Sequence, residues 1–309
     1  MFYCEEDVQK LYAEYMDSVK KLVKEKRDLL NSPFYTAGKR QLLRKKKNLK
    51  QKLKNAGAKI TGKRQKAISY PDLPGSENDR SDTNYFSNDR IAVYTCITGG
   101  YDSLREPFVH PDNIDYYAVT DFDIPEGSAW RRIDVNDFDE VKDFSPALKN
   151  RYFKINPHKV FKDYKYSVYL DGNICIYSDF TEHVNRMSKY GFSHFRHSKR
   201  TCAYEEAKVC RLLGKEKAEN IDRYTSRLKE AGFPENYGLL ACDFMVREHN
   251  RPECIRVMEA WFAEFRDHLK RDQVSLPFVL FQNGIVPEEV ATLGGDVHKE
   301  YSFEIEQHL

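Results

Sequence analysis

The sequence predicts an α/β fold, a Rossmann-like sheet flanked by helices and preceded by a basic pair of N-terminal helices. Continuous apolar runs, typical of strands buried in a parallel sheet, alternate with amphipathic segments. Three successive runs end in small or acidic residues, at Thr98-Gly99-Gly100, Thr120-Asp121 and Asp171-Gly172-Asn173. Charge also separates along the chain. Residues 1–70 contain 19 Lys and Arg against 7 Asp and Glu, although the net charge of all 309 residues is only +2.

Composition favours a globular protein with a substantial core. Hydrophobic residues make up 40% of the chain and aromatic residues 13%, and no run of about 18 apolar residues predicts a membrane-spanning helix. The seven cysteines are scattered without a Cys-x-x-Cys pair, which argues against a zinc site and a disulfide framework. Residues 1–7 contain acidic residues, whereas a signal peptide begins with basic residues and an apolar stretch, so no signal peptide is predicted. We therefore expect a cytoplasmic protein, with peripheral attachment to the inner face of the membrane as an open alternative.

Residues 1–66 predict two basic helices that can pair as an antiparallel hairpin. Apolar residues recur every three or four positions over residues 5–30, Pro33 follows the end of that helix, and a second, lysine-rich helix runs from about residue 36 to residue 55. Three partners suit the hairpin: the body or another subunit of a homo-oligomer, a partner protein, or an anionic membrane, which attracts each basic side chain by about 1 kcal/mol. Nucleic acid is a weaker candidate partner, because no aromatic residues lie among the lysine and arginine residues after Tyr35.

Residues 67–89 predict a linker, because glycine, proline and polar residues dominate them. A catalytic domain is then predicted over residues 90–309. Its predicted strands lie at 90–98, 115–120, 130–135, 166–170, 192–197 (a short strand or a loop) and 236–247, where a loop leads into the strand. Its predicted helices lie at 146–162 with a kink at Pro157, 180–190, 203–213, 215–231, 253–268 and 274–282.

The turn Asp171-Gly172-Asn173 is the most informative stretch. It follows a buried strand, and ligands of open α/β sheets bind at the carboxyl ends of the strands. Asp and Asn supply the oxygen ligands that Mg²⁺ or Mn²⁺ prefers, and the glycine allows a backbone or a phosphate to come close. The turn therefore predicts a site for a metal-bound nucleotide diphosphate. A plain β-turn built from favourable turn residues is the alternative.

Four motifs occur in order along the body: residues 95–102, 169–173, 197–206 and 271–275. Together they resemble the glycosyltransferase-like domains of bacterial surface-polysaccharide proteins and plant mucilage-related proteins, the TOD/MUCI type. More distantly, the layout is similar to glycogenin-like GT-A glycosyltransferases, whose Asn-x-Gly loop and Asp-Gln pair are matched by Asn236-Tyr237-Gly238 and Asp272-Gln273. The resemblance covers residues 90–290.

The resemblance implies a GT-A-like mixed sheet and a metal-dependent enzyme. Such an enzyme moves a sugar from a nucleotide sugar, usually linked to UDP, to a glycan or lipid-linked acceptor, here in surface polysaccharide synthesis. The related enzymes hold Mn²⁺ on an Asp-x-Asp turn. This turn has Asn173 in place of the second acid, and an amide oxygen is a neutral, weaker ligand. The metal is therefore expected to be held loosely or to need another ligand. In the glycogenin-like enzymes a late histidine supplies one, and the resemblance makes His298 the candidate.

Candidate roles follow for the remaining residues. The metal ligands are Asp171, Asn173 and His298, with Asn173 as an alternative ribose contact. The donor-binding residues, which would border the base and ribose or neutralise phosphates, are Thr95, Gly99, Tyr101, Asp121, Arg151 and Lys154. The residues assigned to catalysis or to substrate binding are Asp272, Gln273, His197, Arg200 and Glu206, with Asp272 as a general base or an orienting carboxylate.

Each assignment has a structural alternative. Tyr101 is equally compatible with a core aromatic residue, and Arg151 and Lys154 with a solvated helix face. Asp272 is compatible with a helix N-cap, and Asp243 with an ordinary strand residue. Two other functions also stay open: a metal-dependent hydrolase on a similar scaffold, and a non-catalytic adaptor acting through residues 1–66. The sequence contains no Gly-x-Ser-x-Gly elbow or His-Glu-x-x-His helix that would favour a hydrolase.

Overall fold

A computed structural model describes residues 89–300 and 302–306. The predicted helices of residues 1–66 and nearly all of the predicted linker lie outside the described residues, so the boundaries at 66 and 89 stay predictions. Among the described helices, none is long and apolar enough to cross a membrane.

A six-stranded mixed sheet forms the centre of the described region. Its strands are β1 (Ile91–Ile97), β2 (Ile114–Thr120), β3 (Trp130–Asp134), β4 (Tyr166–Leu170), β6 (Phe192–Arg196) and β7 (Leu240–Arg247), and their order is β3-β2-β1-β4-β7-β6. The first four of these strands in the sheet are parallel, whereas β7 runs antiparallel to both β4 and β6. A separate antiparallel pair joins β5 (Ile174–Ile176) to β8 (Phe303–Ile305).

Helices cover the sheet. They are α1 (Pro146–Ile155), α2 (Ala203–Leu212), α3 (Ala218–Glu230), α4 (Pro252–Asp267) and α5 (Asp272–Gln282). Helices α1 and α4 pack with α5 against one face of the sheet around Tyr94 and Trp261, and β5 and β8 help to cover the other face. Helices α2, α3 and α5 share a third cluster of buried residues. The predicted fold class, an α/β mixed sheet flanked by helices, is therefore confirmed.

Two predicted helices are shorter in the structure. The predicted kink at Pro157 is the end of α1, because the helix stops at Ile155 and a separate 3₁₀ turn, Pro157–Lys159, follows. Proline has no backbone N–H to continue the helical ladder. The predicted helix at 180–190 is a 3₁₀ helix, Thr181–Arg186, and residue 192 already begins β6.

The strand order brings the predicted tips to one edge. Strands β1, β2 and β4 are adjacent and parallel, so Thr98, Asp121 and Asp171 follow their carboxyl ends on the same side of the sheet. Every residue of β1 and β4 is buried, as their continuous apolar runs predict. This edge is where the candidate site lies.

Candidate functional site

The turn after β4 is held by close packing. A Cβ on Gly172 would lie 2.9 Å from Cγ1 and Cδ1 of Ile97, so only glycine fits without a shift of the Ile97 side chain. Arg105 donates from Nη1 to the Gly172 carbonyl at 2.7 Å, and the Asp171 N–H donates to the Asp243 carbonyl at 2.8 Å. The turn is therefore a fixed part of the sheet edge that presents the Asp171 carboxylate at a defined position.

The Asp171 carboxylate is bonded on one oxygen. Its Oδ1 accepts from the Lys154 ammonium at 3.0 Å and from the Tyr169 hydroxyl at 2.8 Å. No other described side chain donates to this carboxylate, so Oδ2 is available to a ligand. Lys154 also lies over the Tyr169 ring, with Nζ 5.0 Å from the ring centroid.

Lys154 joins two carboxylates. Its Nζ lies 3.0 Å from Asp171 Oδ1 and 3.0 Å from Asp272 Oδ2, and its side chain is only 1% exposed. The alternative of a solvated helix face is therefore wrong for Lys154. Burial alone would lower the pKa of Lys154, but the two carboxylates outweigh burial and raise it above the ordinary value. The lysine is a buried, permanent cation at the strand edge.

Asp272 is paired with a second cation. Its Oδ2 lies 3.1 Å from Arg151 Nε as well as 3.0 Å from Lys154. Burial alone would raise the pKa of Asp272, but Arg151 and Lys154 hold it well below its usual range. Such a carboxylate is a weak base, so this geometry favours the orienting role over the general-base role. Asp272 is also not the N-cap of α5, because Arg271 occupies that position.

Asp243, which the sequence presents as an ordinary strand residue, lies beside Asp171. It lies in β7 directly opposite Asp171, next to the ladder pair of Leu170 and Phe244, and side chains opposite each other in an antiparallel pair stand on the same face. Its Oδ1 is shielded from solvent and has no hydrogen-bond partner among the described residues. Burial, with a smaller contribution from Asp171, raises the pKa of Asp243 to about 6. In the sequence, the one sign of this position is a single acidic residue within an otherwise apolar strand.

The tips of β1 and β2 are also joined. The Gly99 N–H donates to Asp121 Oδ2 at 2.7 Å, and Gly99 has φ of +66° with its Cβ position 2.7 Å from Pro146 Cβ. Thr95 is buried, and its hydroxyl has no partner among the described residues. Tyr101 is 66% exposed, so the alternative of a core aromatic residue is wrong.

A second polar cluster unites three of the predicted substrate-binding residues. Arg200 Nε donates to Glu206 Oε2, and His197 Nε2 lies 3.9 Å from the same oxygen. The backbone N–H groups of Lys199 and Arg200 donate to His197 Nδ1 at 3.2 and 3.1 Å. The neutral ring therefore carries its proton on Nε2, which faces Glu206. Burial lowers the pKa of His197 to about 4, so the ring is uncharged at neutral pH.

The other two candidate metal ligands occupy different surroundings. Asn173 donates from Nδ2 to the Glu306 carbonyl at 2.7 Å, which ties the turn to the end of β8. His298 is exposed in the 3₁₀ turn Val297–Lys299. It lies close enough to Asp243 and His197 for its charge to affect the titration of both.

The donor set suits one kind of cation site. Within residues 89–300 and 302–306, no group of three or more His, Cys, Asp or Glu side chains is arranged to hold a metal ion. Mg²⁺ and related hard cations, however, commonly bind one or two carboxylates and take further oxygens from substrate phosphates. The free Oδ2 of Asp171 and the unpartnered Oδ1 of Asp243 fit that arrangement.

Comparison with known proteins gives one family match. The model of the TOD1/MUCI70 glycosyltransferase-like domain matches residues 127–291, which include the turn, the His197 cluster, Asp243 and Asp272. No curated protein sequence is significantly similar to the chain.

Three solved structures share part of the fold. The bifunctional glycosyltransferase WbbM has a TM-score of 0.42 at 10% identity, over 65% of this chain and 39% of WbbM. The galactosyltransferase LgtC, in complex with donor and acceptor sugar analogs, has a TM-score of 0.37 at 10% identity, over 63% of this chain and 72% of LgtC. Mouse xyloside xylosyltransferase 1 has a TM-score of 0.37 at 11% identity, over 65% of this chain and 83% of the mouse protein.

Proposed function

The chain belongs to the TOD1/MUCI70 glycosyltransferase-like domain family, and from this premise we propose that it transfers a sugar from a UDP-sugar to an acceptor with the help of Mn²⁺ or Mg²⁺. The acceptor would be a glycan or a lipid-linked sugar, as in surface polysaccharide synthesis. One observation carries the proposal: Asp171, with one oxygen free, lies at the strand edge beside a buried lysine and a partly buried arginine.

Charge at this edge suits a diphosphate leaving group. Breaking the bond between the sugar and the diphosphate leaves negative charge on the phosphate oxygens, and fixed cations stabilise that charge. Lys154 and Arg151 supply two cations on one helix, held in place by Asp272. A divalent cation, when bound by Asp171 with Asp243 beside it, would add Lewis-acid neutralisation of the same oxygens.

The other residues would bind and orient the two substrates. Gly99 and Asp121, joined at the tips of β1 and β2, would border the base and ribose of the donor. The cluster of His197, Arg200 and Glu206 would contact the transferred or the accepting sugar. A neutral imidazole, a guanidinium and a carboxylate together offer both donors and acceptors to sugar hydroxyls.

Calorimetry with UDP tests the proposal. We expect the full chain to bind UDP with Mn²⁺ and to lose at least about tenfold in affinity, or about 1.4 kcal/mol, in Asp171→Asn. EDTA should weaken binding to wild type in the same way. Asp163→Asn, a change of the same chemistry at an exposed position, is the matched control and should bind like wild type. Equal binding by wild type and Asp171→Asn, or no nucleotide binding at all, would contradict the proposal.

The acceptor and the reaction type need a separate assay. A thermal-shift panel of nucleotide sugars with Mn²⁺ would identify the donor, because the bound donor stabilises the folded state. Turnover of that donor should then depend on an added acceptor. Equal release of free sugar without any acceptor would instead identify a hydrolase.

The partners proposed for residues 1–66 can be tested on the same full-length protein. Their net positive charge would favour a peripheral cytoplasmic location on an anionic membrane. Sedimentation with vesicles that contain phosphatidylserine, but not with neutral vesicles, would support that location. Sedimentation with neither would leave a partner protein or a second copy of the chain as the proposed partner.

A further inference from the structure

The end of helix α1 is closed by buried side chains from the sheet. The last four carbonyls of an α-helix have no partner within the helix. Here the Tyr152 carbonyl accepts from the N–H and Nδ2 of Asn156, both at 2.9 Å. The three remaining carbonyls, those of residues 153–155, are bonded to two strand residues, Tyr94 of β1 and Arg247 of β7.

Arg247 and Tyr94 each contact two of these carbonyls. The Nη1 of Arg247 lies 2.9 Å from the Lys154 carbonyl and 3.4 Å from the Ile155 carbonyl, and its Nη2 donates to the Tyr94 hydroxyl at 2.6 Å. The Tyr94 hydroxyl lies 2.9 Å from the Lys154 carbonyl and 3.1 Å from the Phe153 carbonyl, so its single proton is shared between them. The sheet thus holds the backbone of the lysine that carries the site charge.

The guanidinium of Arg247 has an unusual environment. The residue is 0% exposed, and within the described residues no carboxylate lies within ion-pair distance of it. Its compensation is the negative end of the α1 dipole together with the carbonyls themselves. A buried cation without a carboxylate is costly for folding. An apolar side chain would avoid that cost but would leave the Ile155 carbonyl without its hydrogen bond. The position therefore calls for a role beyond packing.

We infer that Tyr94 and Arg247 are positioning residues for phosphate recognition, which act through Lys154. They would fix the last turn of α1 so that the Lys154 ammonium stays between Asp171 and Asp272, ready for the diphosphate of the donor. This inference rests on the proposed function, since it concerns the same site. Neither residue touches substrate in it.

The variant Tyr94→Phe removes one hydroxyl and keeps the ring. We expect UDP affinity in the presence of Mn²⁺ to fall about tenfold in calorimetry, because the helix end loses a buried hydrogen bond and Lys154 loses its fixed position. The matched control is Tyr116→Phe, whose hydroxyl also donates to a backbone carbonyl, that of Val109 at 2.9 Å, on the opposite face of the sheet. The control should lose stability and keep its UDP affinity.

A second measurement does not depend on the nucleotide. Acetylation of lysines by an amine-reactive ester, followed by peptide mass spectrometry, reports how well Lys154 is held. We expect Lys154 to react about tenfold faster in Tyr94→Phe than in wild type, relative to the exposed Lys162, and to stay unchanged in Tyr116→Phe. Arg247→Lys keeps the charge but not the planar fork that reaches both groups, and it should shift both readouts in the same direction.

The outcomes separate the two claims. If wild type binds UDP and Tyr94→Phe binds it equally well, with Lys154 as slow to react as before, the positioning role is wrong. A loss of the same size in Tyr116→Phe would also overturn it, because general destabilisation would then explain the effect. If wild type binds no nucleotide, the proposed function fails, and the reactivity of Lys154 alone then decides whether Tyr94 and Arg247 hold it.

Discussion

Acid should destabilise this protein through two buried histidines, and each contribution can be isolated. His194 and His249 are both 0% exposed. His194 donates from Nδ1 to the Ala241 carbonyl at 2.9 Å, and His249 donates from Nε2 to the Phe161 carbonyl at 2.7 Å. The second nitrogen of each ring is buried and has no hydrogen-bond partner in residues 89–300 and 302–306. Protonation would therefore place an unpaired charge in the core.

The magnitude follows from the pKa values. Burial lowers the pKa of His194 from 6.5 to about 3 and the pKa of His249 from 6.5 to about 4. Below pH 6.5 both histidines become protonated in the unfolded chain but stay neutral in the folded protein, which shifts the equilibrium toward unfolding. Their contribution to stability is therefore fully present above pH 6.5 and is lost as the pH falls toward 4 and then 3. At pH 5 each histidine should cost about 2 kcal/mol relative to pH 8. The two histidines together should therefore lower the free energy of unfolding by about 4 kcal/mol, a large part of the roughly 5–15 kcal/mol that is typical of a folded protein.

Urea unfolding at pH 8 and pH 5, followed by tryptophan fluorescence, measures the effect. His194→Asn places an amide nitrogen near the Nδ1 position and His249→Gln places one near the Nε2 position, so both keep the donor and lose the titration. Each should lose about 2 kcal/mol less than wild type between the two pH values. The exposed His110→Asn is the control and should lose as much as wild type. An equal loss in all four proteins would refute the reasoning.

Two further predictions concern the strand edge. Gly172→Ala should destabilise the fold by about 1–3 kcal/mol, because its Cβ would lie 2.9 Å from the Ile97 side chain. Urea unfolding should show a smaller loss of stability when the same change is made in an Ile97→Ala background. Equal losses in the two backgrounds would contradict the packing argument. Asp272→Asn should leave UDP affinity nearly unchanged, because the amide oxygen can still accept from Lys154 and keep it in place, while sugar transfer falls about a hundredfold. Calorimetry and donor turnover measure the two effects, and unchanged turnover would remove Asp272 from the mechanism.

Local patterns were sufficient to predict most elements. The buried strands β1 and β4 could be predicted because their apolar runs are continuous, and α4 because its apolar residues recur at helical spacing. The helix at 180–190 was predicted wrongly, since apolar spacing does not distinguish a 3₁₀ helix from an α-helix over so few residues. The end of α1 was misplaced because the sequence marks Pro157 as a break without showing where the helical bonds stop.

The candidate site divides in the same way. The tips that carry Asp121 and Asp171 could be predicted, because an acid after a buried run must lie at the edge of the sheet. The sequence leaves Asp243 as an ordinary strand residue, because a single acid in an apolar strand does not show whether it faces solvent or another carboxylate. Its position opposite Asp171 depends on the antiparallel register of β4 and β7, whose partners are more than seventy residues apart in the chain.

The sequence by itself determined the kind of fold, the edge of the sheet that carries polar side chains, and the chemical types available there. Only the tertiary structure decided the role of the turn from Asp171 to Asn173. It placed Lys154 between Asp171 and Asp272, left one Asp171 oxygen free, and used the Asn173 amide nitrogen to hold β8. The physical reason is that burial and charge pairing depend on which distant segments meet, and those contacts are long-range properties of the packed chain.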